Sequence, residues 1–292
     1  MTTKFHSVCK TVSPDWPGAR RAELDLLASV THFAFRINTL EHPSLPAALK
    51  LDRLSVILVS PHNPLNLGAA ARAMSNFRFS SLRVVNPYDV AFRNARSAVG
   101  ASEVLTSAVE YATVAEAVAD CGLVVGTTAV RHREIQHPLW RVEYGSRLIR
   151  KQLASGRVAI LFGSEKVGLS NADLSHCHWL MRIPAYGDQI SMNLGQAVAI
   201  CLYELIRDAR TRESGGKART ERSKQATAGD VERITASLFE ALQKSGYVRS
   251  NADAFIEEKV RRLVCRMNLN HDDADLWLGM LRQILWKLRQ EL

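Results

Sequence analysis

The chain lacks an apolar run long enough to cross a bilayer. Its best candidate, residues 24–40, is broken by His32, Arg36 and Asn38, and a spanning helix needs about 20 mostly apolar residues. No signal-peptide pattern opens the sequence, so a cytoplasmic protein is expected. Cysteine is sparse and scattered: Cys9, Cys121, Cys177, Cys201 and Cys265 are odd in number and include no C-x-x-C pair. That excludes a disulfide framework and implies reduced, mostly buried thiols. The cluster His176-Cys177-His178 invites a metal reading, but no second ligand pair has matching spacing, and neighbours on a strand point to opposite faces. No metal is expected. A nicotinamide site is also excluded, because Asn66-Leu67-Gly68 lacks the G-x-G-x-x-G spacing.

What is present points to a globular protein with a polyanionic partner. Of 292 residues, 47% are apolar, enough for one good core and a second small domain. The net charge of +9 favours nucleic acid as partner, with an anionic membrane surface second. The 24–40 stretch lacks the dense Lys/Arg face of a membrane-surface helix, so no membrane partner is expected.

Four segments follow from composition and periodicity. Residues 1–50 carry Pro-rich patches around one amphipathic stretch (Leu26, Leu27, Val30, Phe33, Ile37) and form an N-terminal extension of unassigned role. Residues 51–210 alternate strand and helix patterns, with strands expected at 54–60, 82–86, 123–128, 158–163 and 178–183. That rhythm is the signature of a parallel sheet with helices on both faces. Residues 211–229 contain no apolar side chain larger than alanine and read as a basic, flexible linker. Residues 230–292 return to helical periodicity. Val231, Ile234, Leu238 and Leu242 share a face, Asp230 is placed as N-cap, and further helices are expected over 252–267 and through Leu276 to Leu288.

Two stretches concentrate the chemistry. Residues 158–205 read as strand, glycine loop, strand, second polar loop, then a helix opening at Met192-Asn193. Loops at the carboxyl ends of neighbouring strands form a small-ligand crevice in an open α/β sheet. Residues 56–87 give a strand, a Pro/Asn loop, a small-residue helix from Leu67 to Phe77 and a further strand. Gly163 and Gly168 suit close backbone approach and special backbone angles. Thr127 and Thr128 follow the apolar run LVVG, at a strand's carboxyl end. Ordinary readings stand beside each of these: turn glycines, β-prone threonines, helix caps at Ser191 and Asn193, and a surface arginine at Arg72.

Together these motifs resemble the SpoU/TrmH branch of the SPOUT RNA methyltransferases. Asn66, Gly68 and Arg72 match the first motif; Gly163, Glu165, Gly168 and Leu169 the second; Ile183-Pro184 and Ser191-Met192-Asn193-Leu194 the third. The tail, DVERITASLFEALQKSGYV followed by KVRRLVCRMNLNHDDADLWLGMLRQI, resembles the TrmJ subgroup, so the likeness runs from residue 51 onward. The resemblance implies an α/β trefoil-knot domain with a mainly parallel sheet, plus a small helical C-terminal domain. It implies a homodimer that uses S-adenosylmethionine to methylate a ribose 2′-hydroxyl of RNA, with the tRNA anticodon loop as substrate. The alternatives are an rRNA methyltransferase of the same fold and a non-catalytic RNA-binding protein.

The same resemblance assigns residues. Thr127, Thr128, Ala129, Gly163, Glu165, Gly168, Ile183, Ile190, Ser191, Met192, Asn193 and Leu194 bracket the cofactor. Arg72, Asn66 and Ser191 are the catalytic candidates. Arg131 and Arg133 are the substrate contacts, with Arg133 the better match. Arginine is too basic to lose its proton readily, so physical chemistry favours Arg72 as a phosphate and alkoxide holder over a general base. Three positions depart from the family pattern: Ser164 replaces a frequent arginine, Arg78 a usual glycine, and Met192 a usual leucine.

Overall fold

A computed structural model of the chain describes residues 50–88, 92–95, 102–129, 135–185, 191–207, 224–248 and 253–290. All of them lie within one compact unit, Leu45–Leu292. Arg131, Arg133, Ile190 and the amphipathic stretch at 24–40 fall outside the described residues.

Five of the seven strands sit where the apolar runs place them: β1 (Leu54–Val59), β2 (Ser81–Val85), β4 (Leu123–Thr127), β6 (Val158–Phe162) and β7 (Trp179–Arg182). Two three-residue strands, β3 (Val109–Tyr111) and β5 (Leu139–Arg141), close the two edges. Every pairing is parallel, in the order β3-β2-β1-β6-β4-β7-β5. Strand β1 shows why its sequence is a near-continuous apolar run: all six residues are buried, since both faces of a parallel sheet are covered. Leu54, Val56 and Leu58 face one apolar layer, and Ile57 and Val59 face the other, as the period of two requires.

The first layer is covered by α1 (Pro64–Asn76), α4 (Val142–Leu153) and α6 (Leu194–Arg207), whose Leu67, Ile149 and Val198 are fully buried. On the opposite layer lie α3 (Val114–Val118) and α5 (Asn171–Ser175), with α2 (Glu103–Thr106) beside the first layer through Val104 and Leu105. Helix α1 begins three residues earlier than the periodicity indicated. Pro64 occupies its first position, where no N–H is needed, and the Asn63 side chain accepts from Leu65 N at 2.9 Å. Just past its end Arg78 adopts φ +61°, the left-handed geometry that explains why glycine is the family's usual choice there.

The C-terminal region is a three-helix cluster of α7 (Ala228–Lys244), α8 (Asp253–Met267) and α9 (His271–Gln290). Its core gathers Val231, Ile234, Val260, Val264, Ala274 and Leu281. Helix α7 is capped by Thr227, not Asp230. Thr227 Oγ1 accepts from Asp230 N at 3.2 Å, and the Asp230 carboxylate accepts from Thr227 N at 2.8 Å, a reciprocal capping box. The stretch expected to be linker is also fixed at its far end. Ala226 is buried, Gln225 bridges to Asn270, and Ala228 N donates to Cys121 O at 2.8 Å. Small residues that looked linker-like are there because backbone, rather than side chains, makes the contact.

Arg261 ties α8 to α7 within this cluster and reaches the sheet-bearing part through Ser175. Only 8% exposed, it pairs bidentately with Glu232 at 2.9 Å, pairs with Glu257 at 2.6 Å, and donates to Ser175 Oγ at 3.3 Å. Beside it, Cys265 Sγ lies 3.7 Å from Ser175 O.

Candidate active site

The carboxyl ends of β4, β6 and β7 open into a crevice of about 240 Å³, just below the usual range for small-molecule sites. Strand β4 contributes Thr127 and, after it, Thr128 and Ala129; the loop after β6 contributes Gly163, Glu165 and Gly168. The loop after β7 and the start of α6 contribute Ile183, Ser191, Met192 and Leu194. Of the cofactor-bracketing residues expected from the sequence, the structure thus brings ten together. Asn193 does not line the crevice, and Ile190 lies outside the described residues.

Close backbone approach explains the glycines. A Cβ on Gly163 would lie 2.1 Å from the Gly168 carbonyl carbon and 2.2 Å from Leu169 N, so no side chain fits. The loop folds back through Gly168 at φ +72°, with Gly168 N donating to Ser164 O at 2.9 Å. Ser164 is buried in this turn, and its hydroxyl is within 3.4 Å of Val167 N. An arginine at that position would have to turn outward. Thr127 spends its hydroxyl on Leu161 O at 2.8 Å, tying β4 to β6. Its contribution to the crevice is therefore its methyl group and backbone.

A chain of side-chain bonds locks the three motif loops together. The Glu165 carboxylate accepts from His62 N at 3.1 Å, Asn63 N at 3.2 Å and Asn66 Nδ2 at 2.8 Å. Asn66 Oδ1 accepts from Asn193 Nδ2 at 2.8 Å, and Asn193 Oδ1 caps α6 by accepting from Gly195 N at 2.9 Å. Burial works to raise the Glu165 carboxyl, but hydrogen bonds from the Asn66 amide and the loop backbone outweigh it and hold its pKa below the ordinary range. Asn66 and Asn193 bridge the loops and do not line the crevice. Arg72, on α1, is exposed, does not line the crevice of its own chain, and has no partner among the described residues.

Sequence reasoning missed Lys166 and Met181, both crevice-lining. Lys166 is the one basic residue within 163–170, and that charge beside two glycines was the available signal. Met181 was indistinguishable from core. The histidines beside Cys177 use their rings on separate partners. His178 Nδ1 accepts from Val124 N at 3.1 Å, and His176 lies 3.7 Å from Glu232. Burial pushes His178 down to about 4, so it is neutral in the fold.

The sequence profile of the SpoU rRNA methylase family matches residues 53–203. The tRNA (cytidine/uridine-2′-O-)-methyltransferase TrmJ of Salmonella typhimurium is 34% identical over 238 residues, covering 80% of this chain and 97% of the relative. Its counterpart in Photorhabdus laumondii is 32% identical over 236 residues, with the same coverage. Among solved structures, TrmJ from Z. mobilis ZM4 superposes with a TM-score of 0.67 at 33% identity, covering 79% of this chain and 98% of that one. A methylase-family protein from Neisseria gonorrhoeae gives 0.54 at 27% identity, covering 66% and 97%.

Proposed function

The chain belongs to the SpoU rRNA methylase family, and on that ground we propose that it transfers a methyl group from S-adenosylmethionine to a ribose 2′-hydroxyl of tRNA, in the anticodon loop. One observation carries the choice of tRNA. The likeness to the TrmJ enzymes runs over 238 residues, well past the family core of 53–203, and so takes in the helical C-terminal cluster.

The crevice residues suit the cofactor. Ile183, Met192 and Leu194 offer apolar walls for a flat ring, while Ser191, Glu165 and the glycine-loop backbone offer polar groups at its rim. The sulfonium of the bound cofactor supplies an electrophilic methyl group. The protein's share of the work is then geometry, electrostatics and removal of the hydroxyl proton. Glu165, Asn66 and Asn193 hold the loops, and Arg72, permanently cationic, holds a substrate phosphate and stabilises the developing alkoxide.

Arg72 is off the crevice of its own chain, which fits a site completed by a second copy. Leu65 and Val167, each 78% exposed, supply apolar contacts on α1 and the glycine loop for such a homodimer. Mixing two inactive variants, Arg72→Ala and Ser191→Trp, should restore roughly a quarter of the activity, the statistical share of mixed pairs carrying one intact site. No recovery, with dimers seen by sedimentation, would place Arg72 and the crevice in the same chain's site.

The function itself is tested by incubating the protein with labelled S-adenosylmethionine and either total tRNA or ribosomal RNA, then identifying the methylated nucleosides by mass spectrometry. We expect 2′-O-methylated cytidine or uridine in tRNA. Label in ribosomal RNA alone would select the rRNA reading, and label in neither would select the non-catalytic one.

A further inference from the structure

A second cleft lies between the sheet-bearing part and α8. Thr128 and Leu174 form a wall shared with the cofactor crevice, and His137, Phe255, Glu258 and Arg262 are among the other residues that line it. At about 70 Å³ it is far smaller than the roughly 300 Å³ of a site built for a whole small molecule. Its size suits one planar ring that belongs to something larger.

Three features describe that ring. First, Phe255 is 59% exposed, and Lys259 Nζ sits 4.1 Å from its ring centroid. One face carries a cation, which leaves the other for stacking. Second, His137 Nε2 is buried with no hydrogen-bond partner among the described residues, a costly arrangement unless something fills it. Burial, with Arg262 and Arg266 nearby, holds the ring neutral by lowering its pKa. Each nitrogen of a neutral imidazole either donates or accepts, and the edge of a base carries groups of both kinds. Third, Phe255, Lys259, Arg262 and Arg266 fall at helical spacings of four, three and four along α8, so they share one face. Lys259 and Arg266 are exposed, whereas Arg262 pairs with Glu258 at 3.7 Å.

An aromatic face, a buried imidazole nitrogen and a line of cations are the recognition elements of single-stranded RNA. Resting on the tRNA reading above, we propose that this cleft receives the base of one unpaired nucleotide adjacent to the methylated one. The base stacks on Phe255 and hydrogen-bonds to His137 Nε2, while Lys259 and Arg266 hold the flanking phosphates. The shared Thr128 wall sets the base one residue's thickness from the cofactor crevice. Nucleotide capture and cofactor placement are thereby aligned.

The test compares wild type with Phe255→Leu, which keeps apolar bulk but loses the ring, and with Phe255→Trp, which keeps the ring. Phe255→Leu should raise KM for tRNA about 5- to 100-fold, the range for one stacked base, with S-adenosylhomocysteine affinity unchanged and Phe255→Trp near wild type. His137→Ala should raise KM in the same direction. A set of tRNAs bearing one abasic nucleotide at successive loop positions then identifies the base. At one position the abasic loss and the Phe255→Leu loss should fail to add, because both remove the same contact. An unchanged KM in Phe255→Leu, or losses that add at every position, would overturn the assignment. If wild type methylates no tRNA, the functional reading is what has failed. Equilibrium tRNA binding by wild type and Phe255→Leu then judges the cleft by itself, equal affinity refuting it.

Discussion

The crevice and the docked helical cluster are held by opposite means. Three loops meet at the crevice through two amides and one carboxylate, Asn193 to Asn66 to Glu165, each bond directional and partly solvated. The cluster is held by charge: Arg261 is buried against two glutamates and a serine hydroxyl. A network of the first kind sets positions while contributing modest stability. One of the second kind is costly to break, because a lost partner leaves charge stranded. Geometry is therefore concentrated in the crevice loops and cohesion in the helical cluster.

The sharpest way to break that contrast is Arg261→Met. It should destabilise the protein by about 3 kcal/mol, at the low end for buried pairs because Glu232 and Glu257 keep some contact with water. Affinity for S-adenosylhomocysteine should stay within about twofold once the protein is folded. Urea unfolding and calorimetry measure the two, and loss of cofactor binding by the folded variant would mean the ends are coupled.

Acidification probes the sheet first, outside both networks. His178 has a folded pKa of about 4 against an ordinary 6.5, so below 6.5 the unfolded chain takes up a proton that the fold refuses. Stability should be full above about pH 6.5 and fall by about 2–3 kcal/mol toward pH 4.5. Glu165, Asp120 and Asp230, with lowered pKa values, add a further loss only as pH drops through the carboxylate range. His178→Gln keeps a side-chain acceptor for Val124 N and should remove the His178 share of that leg, leaving the share of His176, which burial also lowers to about 4. A denaturation series across pH shows whether it does.

Glu165→Ala is the reverse of the Arg261 variant. Cofactor affinity should fall roughly 10- to 100-fold, the cost of about 1.5–3 kcal/mol for bonds to a charged group. Thermal stability should move little. A large stability loss with normal cofactor affinity would exchange the two roles.

Smallest, and outside both networks, is Arg78→Gly. Relieving a side chain at φ +61° should stabilise the fold by about 1 kcal/mol, with activity unchanged. A drop in stability would mean that the arginine makes up for its backbone strain elsewhere.

Legibility followed the range of the interaction. Strand β1 was readable because burial on both faces leaves an unbroken apolar run, and the glycine loop because Gly163 tolerates no Cβ. The edge strands β3 and β5 were not, since three residues with exposed or half-exposed side chains carry no pattern. Asp230 looked like a cap because capping boxes place an acid three residues inside the helix, where it mimics the cap itself. The bond between Asn66 and Asn193 joins residues 127 apart, and no local pattern encodes it. Arg72 matched its motif, yet its distance from its own crevice depends on how α1 lies across the sheet.

The position of β6 has a consequence for synthesis on the ribosome. It pairs with β1 along one edge, Leu54 opposite Val158, and with β4 along the other. Strand β1 thus emerges with one flank matched early by β2 and the other waiting for roughly 100 more residues. At about 5–20 residues per second that flank, apolar and rich in unpaired backbone groups, stands open for roughly 5–20 s. Nascent chains should be most prone to self-association in that interval, and stalling translation just before Val158 should prolong it.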